Sequence, residues 1–352
     1  MKIKKKFQII ALMTASAFAL SACASSTSNS STSSSNTTAA NAVQVATSFY
    51  PLTYLVKEIG GDKVAITDLT PPGSDAHGAE LAPADIAKLQ KMDLVIYLDT
   101  FAPAIDEAIE TSDLKNVLEI GQSVNLLEQE EVNAFSTNLG TETEHANETA
   151  EEHAEHSEEE ADHDHSTETA EEHADHDHGT HDPHFWTDPA RLAQAAPVVA
   201  AELAKISPEN SELFTNNATA VTEKLTKLAE GFKTTLASKQ CQTDAFIVTH
   251  LAFGYLALEN NLKQIGIAGI DPETEPSPAR IAQIKEAAEH YKVSTIFTTS
   301  DAEKKAASTV AAETGTKVEV LDPAATQRDT NKDYAQVMEE NFKLLSTALG
   351  CK

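Results

Sequence analysis

Three histidines stand apart from the rest of the thirteen in this 352-residue chain. His77 lies in "PPGSDAHGAELAP", His184 in "HDPHFWTDP" and His250 in "FIVTHLAFGYLA". Each follows a segment of strand or turn character, and so does Asp322 in "KVEVLDP". Ligands of open α/β sheets bind beyond the carboxyl ends of strands, so these four residues are candidates for one shared site. A single strand-end histidine is often no more than a hydrogen-bonded structural residue. Three of them with a strand-end aspartate form a donor set. Three imidazoles and one carboxylate suit tetrahedral Zn²⁺ at roughly 2.0–2.2 Å per ligand. Imidazole favours Zn, Cu or Ni over Mg or Ca. Four protein ligands close the shell, as a carrier requires, whereas a hydrolytic zinc site keeps one position for water. A fourth histidine, His290, lies late in a helical segment and reads as a favourable charge near a helix C-terminus.

The remaining nine, His145, His153, His156, His163, His165, His173, His176, His178 and His181, fall in one acidic tract. From 141 to 182 there are seventeen Asp or Glu and no Lys or Arg. Short runs recur there: "ETAEEHA" at 148–154 and 168–174, "ADHDH" at 161–165 and 174–178. The segment 138–181 has almost nothing to build a core from. It is expected to be disordered without a ligand, its histidines acting as dispersed, weak, exchangeable metal donors. The formal charge of the chain, −29 from 26 basic and 55 acidic residues, argues against nucleic acid and anionic lipid as partners and suits cations.

The elements that must position these residues are legible from periodicity. "AVQVATSFY" and "KVAITDLTP" read as strands, separated by a helix that stops at Gly60-Gly61. Helix, strand, helix, strand continue to about Glu128. After the tract, Asp188-Pro189 opens a helix, with Asp as N-cap and Pro in the first turn. Ser207-Pro208-Glu209 repeats that signal before about thirty residues of helical pattern, long enough to be a strut between two halves. The second half alternates again, through "DAFIVTH", "LKQIGIAG", "VSTIFTTS" and "KVEVLDP", to a final helix at roughly 333–349. Alternating strands and helices imply parallel sheets with helical crossovers. The expected fold is therefore α/β: two lobes with parallel sheets, bridged by one long helix, with the metal site between them. The N-terminal lobe is read as 42–207 with 138–181 inserted, the linking helix as 208–239, and the C-terminal lobe as 240–352.

Residues 1–22 are an export signal: a Lys-rich start, an apolar stretch and a small-residue end. Leu20-Ser21-Ala22-Cys23 resembles a lipobox, which implies acylation of Cys23 and a lipid anchor. The Ser/Thr/Asn-rich stretch 23–41 is a flexible tether. With Cys23 lipidated, Cys241 and Cys351 remain as a pair in an oxidising compartment and are expected to form a disulfide.

From 42 onward, the tract aside, the chain resembles the zinc-binding solute-binding lipoproteins of bacterial ABC importers, a cluster that also contains manganese binders. "PPGSDAHGAELAP", "DPHFWTDP" and "THLAFGYLA" look like the first three ligand loops, "GIDPETEPSPARI" like a family segment, and "VLDP" like the fourth-ligand site. The resemblance implies metal ligation by His77, His184, His250 and Asp322, with Glu80, Glu273 and Glu275 as substitutes at the more variable fourth place. The first loop departs from the family in carrying Ala76 and Ala79 where Pro and an aromatic are usual. Manganese binders resemble a His, His, Glu, Asp set; His250 in the third place moves this site toward Zn²⁺. The implied role is lipid-anchored, extracytoplasmic capture of Zn²⁺ by a monomer for an ABC permease with its ATPase subunit. A manganese or broad divalent-metal binder is the alternative within the class. A surface adhesin or metal buffer is the alternative outside it. A secreted zinc hydrolase is disfavoured by the lack of an HExxH motif.

Overall fold

The computed structural model describes residues 42–74, 76–133, 180–267, 277–301 and 303–352. The signal peptide, Cys23, the tether, the tract histidines His145 to His178, Glu273 and Glu275 lie outside the described residues.

The first lobe alternates β1 (Val43–Thr47), α1 (Tyr50–Gly60), β2 (Val64–Asp68), α2 (Pro83–Leu89), β3 (Leu94–Tyr97), α3 (Pro103–Thr111) and β4 (Val117–Glu119). Its strands pair in parallel in the order β2-β1-β3-β4. A short α4 (Gln129–Asn133) follows, then α5 (Pro189–Ile206) and α6 (Ser211–Ser238). The second lobe runs β5 (Ala245–Val248), α7 (Gly254–Glu259), β6 (Lys263–Gly266), α8 (Pro278–Tyr291), β7 (Thr295–Thr298), α9 (Lys304–Thr314), β8 (Lys317–Val320) and α10 (Tyr334–Ala348). Its sheet, β6-β5-β7-β8, is also parallel and repeats the strand order of the first. Central β5 and β7 are buried along their whole length, as a sheet covered on both faces requires. The two lobes cluster as one compact unit.

Helix boundaries follow the local chemistry. Gly61 ends α1 at φ +55°, a left-handed value that glycine adopts without strain. Asp188 caps α5 by accepting the Ala190 N–H, with Pro189 in the first turn. The matching signal at Ser207-Pro208 acts differently. Pro208–Asn210 forms a 3-10 turn, and α6 begins only at Ser211. The Ser207 hydroxyl is taken by the Glu209 carboxylate at 2.7 Å instead of capping the helix. Asp333 opens α10 with a full capping box, reciprocated by Gln336. His290 sits in the last turn of α8.

Helix α6 is the strut. It packs on α1 and α5 of the first lobe and on α10 of the second, where Phe232 stacks on Phe342 at 4.0 Å. A disulfide joins Cys241, just after α6, to Cys351 at the end of α10. The lobes also meet directly. The Trp186 indole donates to the Pro323 carbonyl at 2.8 Å, the Tyr50 N–H to Ala325 O at 3.0 Å, and Lys224 on α6 pairs with Asp333 at 3.0 Å.

The insertion read as 138–181 is ordered at its C-terminal end, which corrects that boundary. Glu128 and His181 form an antiparallel bridge, Gln129 N–H donates to Thr180 O at 2.8 Å, and Asp182 N–H donates to Leu127 O at 3.0 Å. Backbone pairing of Leu127, Glu128 and Gln129 with Thr180, His181 and Asp182 closes the base of the insertion. His181 therefore belongs to a paired stem, with its Nε2 3.2 Å from the Glu128 carboxylate.

Candidate metal site

The strands stop two residues short of the ligand candidates they were expected to carry. β5 ends at Val248 and β8 at Val320, so His250 and Asp322 sit on the first turns beyond the sheet. Such a turn can aim a side chain across the sheet end, whereas a residue within the strand is fixed to one face. His77 lies in the turn-rich loop after β2. His184 precedes a 3-10 turn, Phe185–Thr187, that leads into α5.

These three loops bring three imidazoles together. His77 Nε2 lies 3.0 Å from His184 Nε2, which lies 3.2 Å from His250 Nε2. His184 and His250 are buried and His77 is partly so. Among the described residues, this is the one group of three or more His, Cys, Asp or Glu whose donor atoms all fall within 4.8 Å. Zn²⁺ held tetrahedrally at about 2.0–2.1 Å would separate its nitrogen ligands by about 3.3 Å. The observed spacings sit just inside that figure. A cation at their centre could accept a lone pair from each of the three nitrogens.

Asp182 fixes the second imidazole. Its Oδ1 accepts both the His184 N–H, at 2.8 Å, and His184 Nδ1, at 2.9 Å. A carboxylate accepts only, so Nδ1 carries the hydrogen and Nε2 offers its lone pair to the site. An acidic partner of this kind orients a ligand imidazole and raises its basicity. The sequence pattern counts Asp182 only as the last acid of the tract and assigns it no role. The signal was present in the spacing: an aspartate two residues before a histidine can close an Asx turn onto that residue's backbone.

An aromatic shelf backs the imidazoles. Phe49 and Phe101, beyond the ends of β1 and β3, pack on Trp186 with centroids 4.5 and 5.1 Å away. Phe101 also lies 4.6 Å from the His77 ring. The aromatic missing from the His77 loop is thus supplied by the loop after β3, while Ala76 and Ala79 are themselves buried.

Asp322 stands differently. It lines the same cavity of about 290 Å³ as the three histidines, together with Glu303 and Arg328, but lies outside their tight group. Burial pushes its pKa above the usual carboxylate range, with the Ala324 N–H opposing that shift. Asn341 holds its backbone, donating to Asp322 O and accepting from Asp322 N–H. The two cavity carboxylates differ in how far they are committed. Glu303 accepts from the hydroxyls of Thr249, Thr299 and Ser300 and from the Thr299 N–H. Among the described residues, the Asp322 carboxylate accepts from Ala324 N–H alone. Glu80 is exposed and is not part of the cavity lining.

Comparison with known proteins fits this geometry. A family model described as ZnuA, zinc-uptake complex component A periplasmic, matches residues 45–348. The zinc-binding lipoprotein AdcA of Streptococcus pneumoniae (strain ATCC BAA-255 / R6) is 30% identical over 311 residues, covering 86% of this chain and 55% of its own. The chain thus spans about half the length of that relative. The high-affinity zinc uptake system protein ZnuA of Bacillus subtilis (strain 168) is 32% identical over 315 residues, covering 87% of this chain and 88% of its own. A Zn(II)-bound crystal structure of an AdcAII variant of Streptococcus pneumoniae superposes with a TM-score of 0.68 at 27% identity, over 88% of this chain and 99% of that one.

Proposed function

The chain belongs to the family of periplasmic zinc-uptake component A proteins, and from that premise we propose that it captures Zn²⁺ outside the cytoplasm and delivers it to an ABC permease powered by its ATPase subunit. The observation that carries this reading is the convergence of three Nε2 atoms, at 3.0 and 3.2 Å, from loops of both lobes. Their spacing fits a tetrahedral zinc ion at about 3.3 Å between nitrogens. Asp322 completes the shell as the fourth ligand, because its carboxylate is the less committed of the two in the cavity. A shell closed by protein leaves no place for a zinc-bound water, so the site is built to carry and not to hydrolyse.

Zn²⁺ is the cargo. Neutral imidazole donors favour it over Mn²⁺, for which a carboxylate-richer set is the better match. Two features of the sequence complete the reading. Cys23 in its lipobox-like setting anchors the protein, as a monomer, to the outer face of the cell membrane. The histidine-rich tract, with His181 at its stem, concentrates metal near the mouth of the site.

Competition titration of the mature protein against a chromophoric zinc chelator tests the proposal. One Zn²⁺ per chain should bind tightly and should be lost in His184→Ala. Tight binding that survives in that variant would refute the site.

A further inference from the structure

Tyr255 lies on α7, just beyond His250, and is fully buried. Its hydroxyl leaves its own lobe. It donates to the Asp182 carbonyl at 2.7 Å and accepts the Leu127 N–H at 2.9 Å. Leu127 and Asp182 are the paired backbone ends at the base of the insertion, already joined by Asp182 N–H to Leu127 O at 3.0 Å. One phenol oxygen thus clasps both stems at once. The same Asp182 turns its carboxylate to the backbone and ring of His184.

Two independent contacts hold α7 against this stem. Gly254 allows a close approach that a Cβ would disturb. A Cβ there would stand 2.0 Å from Val132 Cγ1, on α4, and 3.3 Å from Asp182 Oδ2. On the other side Arg191 of α5 lies over the Tyr255 ring, 4.8 Å from its centroid. It also reaches Glu259 at the end of α7 and the Asn125 carbonyl, each at 3.2 Å.

We propose that Tyr255 is a positioning residue for the zinc site. By closing the base of the insertion onto α7 it fixes Asp182, and through Asp182 it aims the His184 lone pair toward His77 and His250. The hydroxyl registers a ligand loop of one lobe against a ligand loop of the other before metal arrives. This rests on the zinc-site reading above. The physical basis is general: groups that orient a ligand imidazole govern metal affinity although they never touch the ion.

Tyr255→Phe removes only the oxygen and keeps the ring beneath Arg191. It should raise the zinc Kd by about tenfold, the lower end of the range for outer-shell changes. Zinc release to excess chelator should quicken by a similar factor. In the Co²⁺-loaded protein the visible ligand-field bands should change position or intensity, which a residue that merely stabilises the fold would not alter. Asp182→Asn should change the same bands. The double variant should be no worse than Asp182→Asn alone, because both act along one path. Tyr50→Phe, which removes another hydroxyl between lobes, one that donates to Lys332 O at 3.4 Å, should leave affinity and spectrum untouched. Wild-type affinity and spectrum in Tyr255→Phe, or losses that add independently with Asp182→Asn, overturn the inference. Should Tyr255→Phe fail to fold, Asp182→Asn decides: unaltered zinc affinity and bands there overturn it equally. His184→Ala separates the two claims. Zinc binding retained in that variant sinks the site itself, whereas loss there beside a wild-type Tyr255→Phe sinks only the role of Tyr255.

Discussion

His184 and His250 belong to different lobes, yet their Nε2 atoms stand 3.2 Å apart. An ion held as proposed would bond one lobe to the other through both imidazoles. Loss of either should therefore remove tight binding and not merely loosen it. His184→Ala should lower zinc affinity by more than about 100-fold, beyond the range of outer-shell changes. Because the imidazoles must be neutral to bind, wild-type affinity should also fall as the pH drops through roughly 6.5. Chelator competition across pH 5–8 reads both effects.

The fourth ligand can be identified by comparing carboxylates. Asp322→Ala should weaken zinc binding while the three-histidine set still holds the ion. Glu80→Gln should leave binding unchanged, since Glu80 is exposed and outside the cavity lining. Equal affinities in Asp322→Ala and wild type would remove Asp322 from the shell. X-ray absorption on the zinc-loaded variant, counting oxygen ligands, gives an independent reading.

The tract can be removed without disturbing its stem. Thr180 and His181 pair with Gln129 and Glu128, so a deletion should stop at residue 178 and begin at 141. The tight site should remain, with fewer weak sites. Zinc capture should be slower and less sensitive to salt, because a dense negative field no longer concentrates the cation. Calorimetry and stopped-flow uptake measure these. Loss of the tight site in the deletion would mean that the tract supplies a primary ligand.

Stability of the metal-free protein should fall as pH rises through the weakly acidic range. Burial, helped by nearby Asp99, pushes Asp106 up to about 7, and burial pushes Asp188 up to about 6. Both carboxyls ionise near pH 4 when unfolded. Between about 4 and 7 the folded state therefore holds protons that the unfolded state has released. Stability is full below that window and declines as pH rises through the folded pKa values. Urea unfolding between pH 4.5 and 7.5 should show this slope, and Asp106→Asn should flatten it. A slope unchanged in Asp106→Asn would show that the group is not responsible.

Reduction of the Cys241–Cys351 bond should destabilise the second lobe. In the chain-entropy model a loop of this size, 110 residues apart in sequence, is worth up to about 4–5 kcal/mol. Thiol labelling of the unreduced, unfolded mature protein should find neither cysteine reactive. Two reactive thiols would contradict the bond, and an unchanged urea midpoint in a Cys241→Ser, Cys351→Ser double variant would contradict its weight.

The lobes and the three histidines were legible in the sequence for one reason: each rests on a local pattern. Strand–helix alternation gave both sheets, and the Asp188-Pro189 step gave the start of α5. What escaped is held by contacts between distant segments. Nothing near Tyr255 reveals that its hydroxyl meets Leu127 and Asp182, 128 and 73 residues away. Nothing near Glu303 reveals that it gathers Thr249 and Thr299, which are neighbours only because β5 pairs with β7. The Ser207-Pro208 signal misled for the opposite reason. A local competitor, Glu209, took the hydroxyl that the pattern assigned to a helix cap.

The stem that joins Gln129 to Thr180 and Leu127 to Asp182 has a consequence for how such a chain can change over generations. Its ends are shut by backbone bonds that do not depend on what runs between them. Extending a loop whose ends are already joined is inexpensive, with each doubling of length costing only about 0.6 kcal/mol of closure entropy. Repeats can therefore accumulate in that segment, or be deleted or rewritten, without shifting His184. On the roles proposed above, the rate at which scarce metal is gathered and the strength with which it is held can then drift separately, the first with the sequence between the stem ends and the second with a few buried residues. The duplicated "ETAEEHA" and "ADHDH" runs are the kind of trace that freedom leaves.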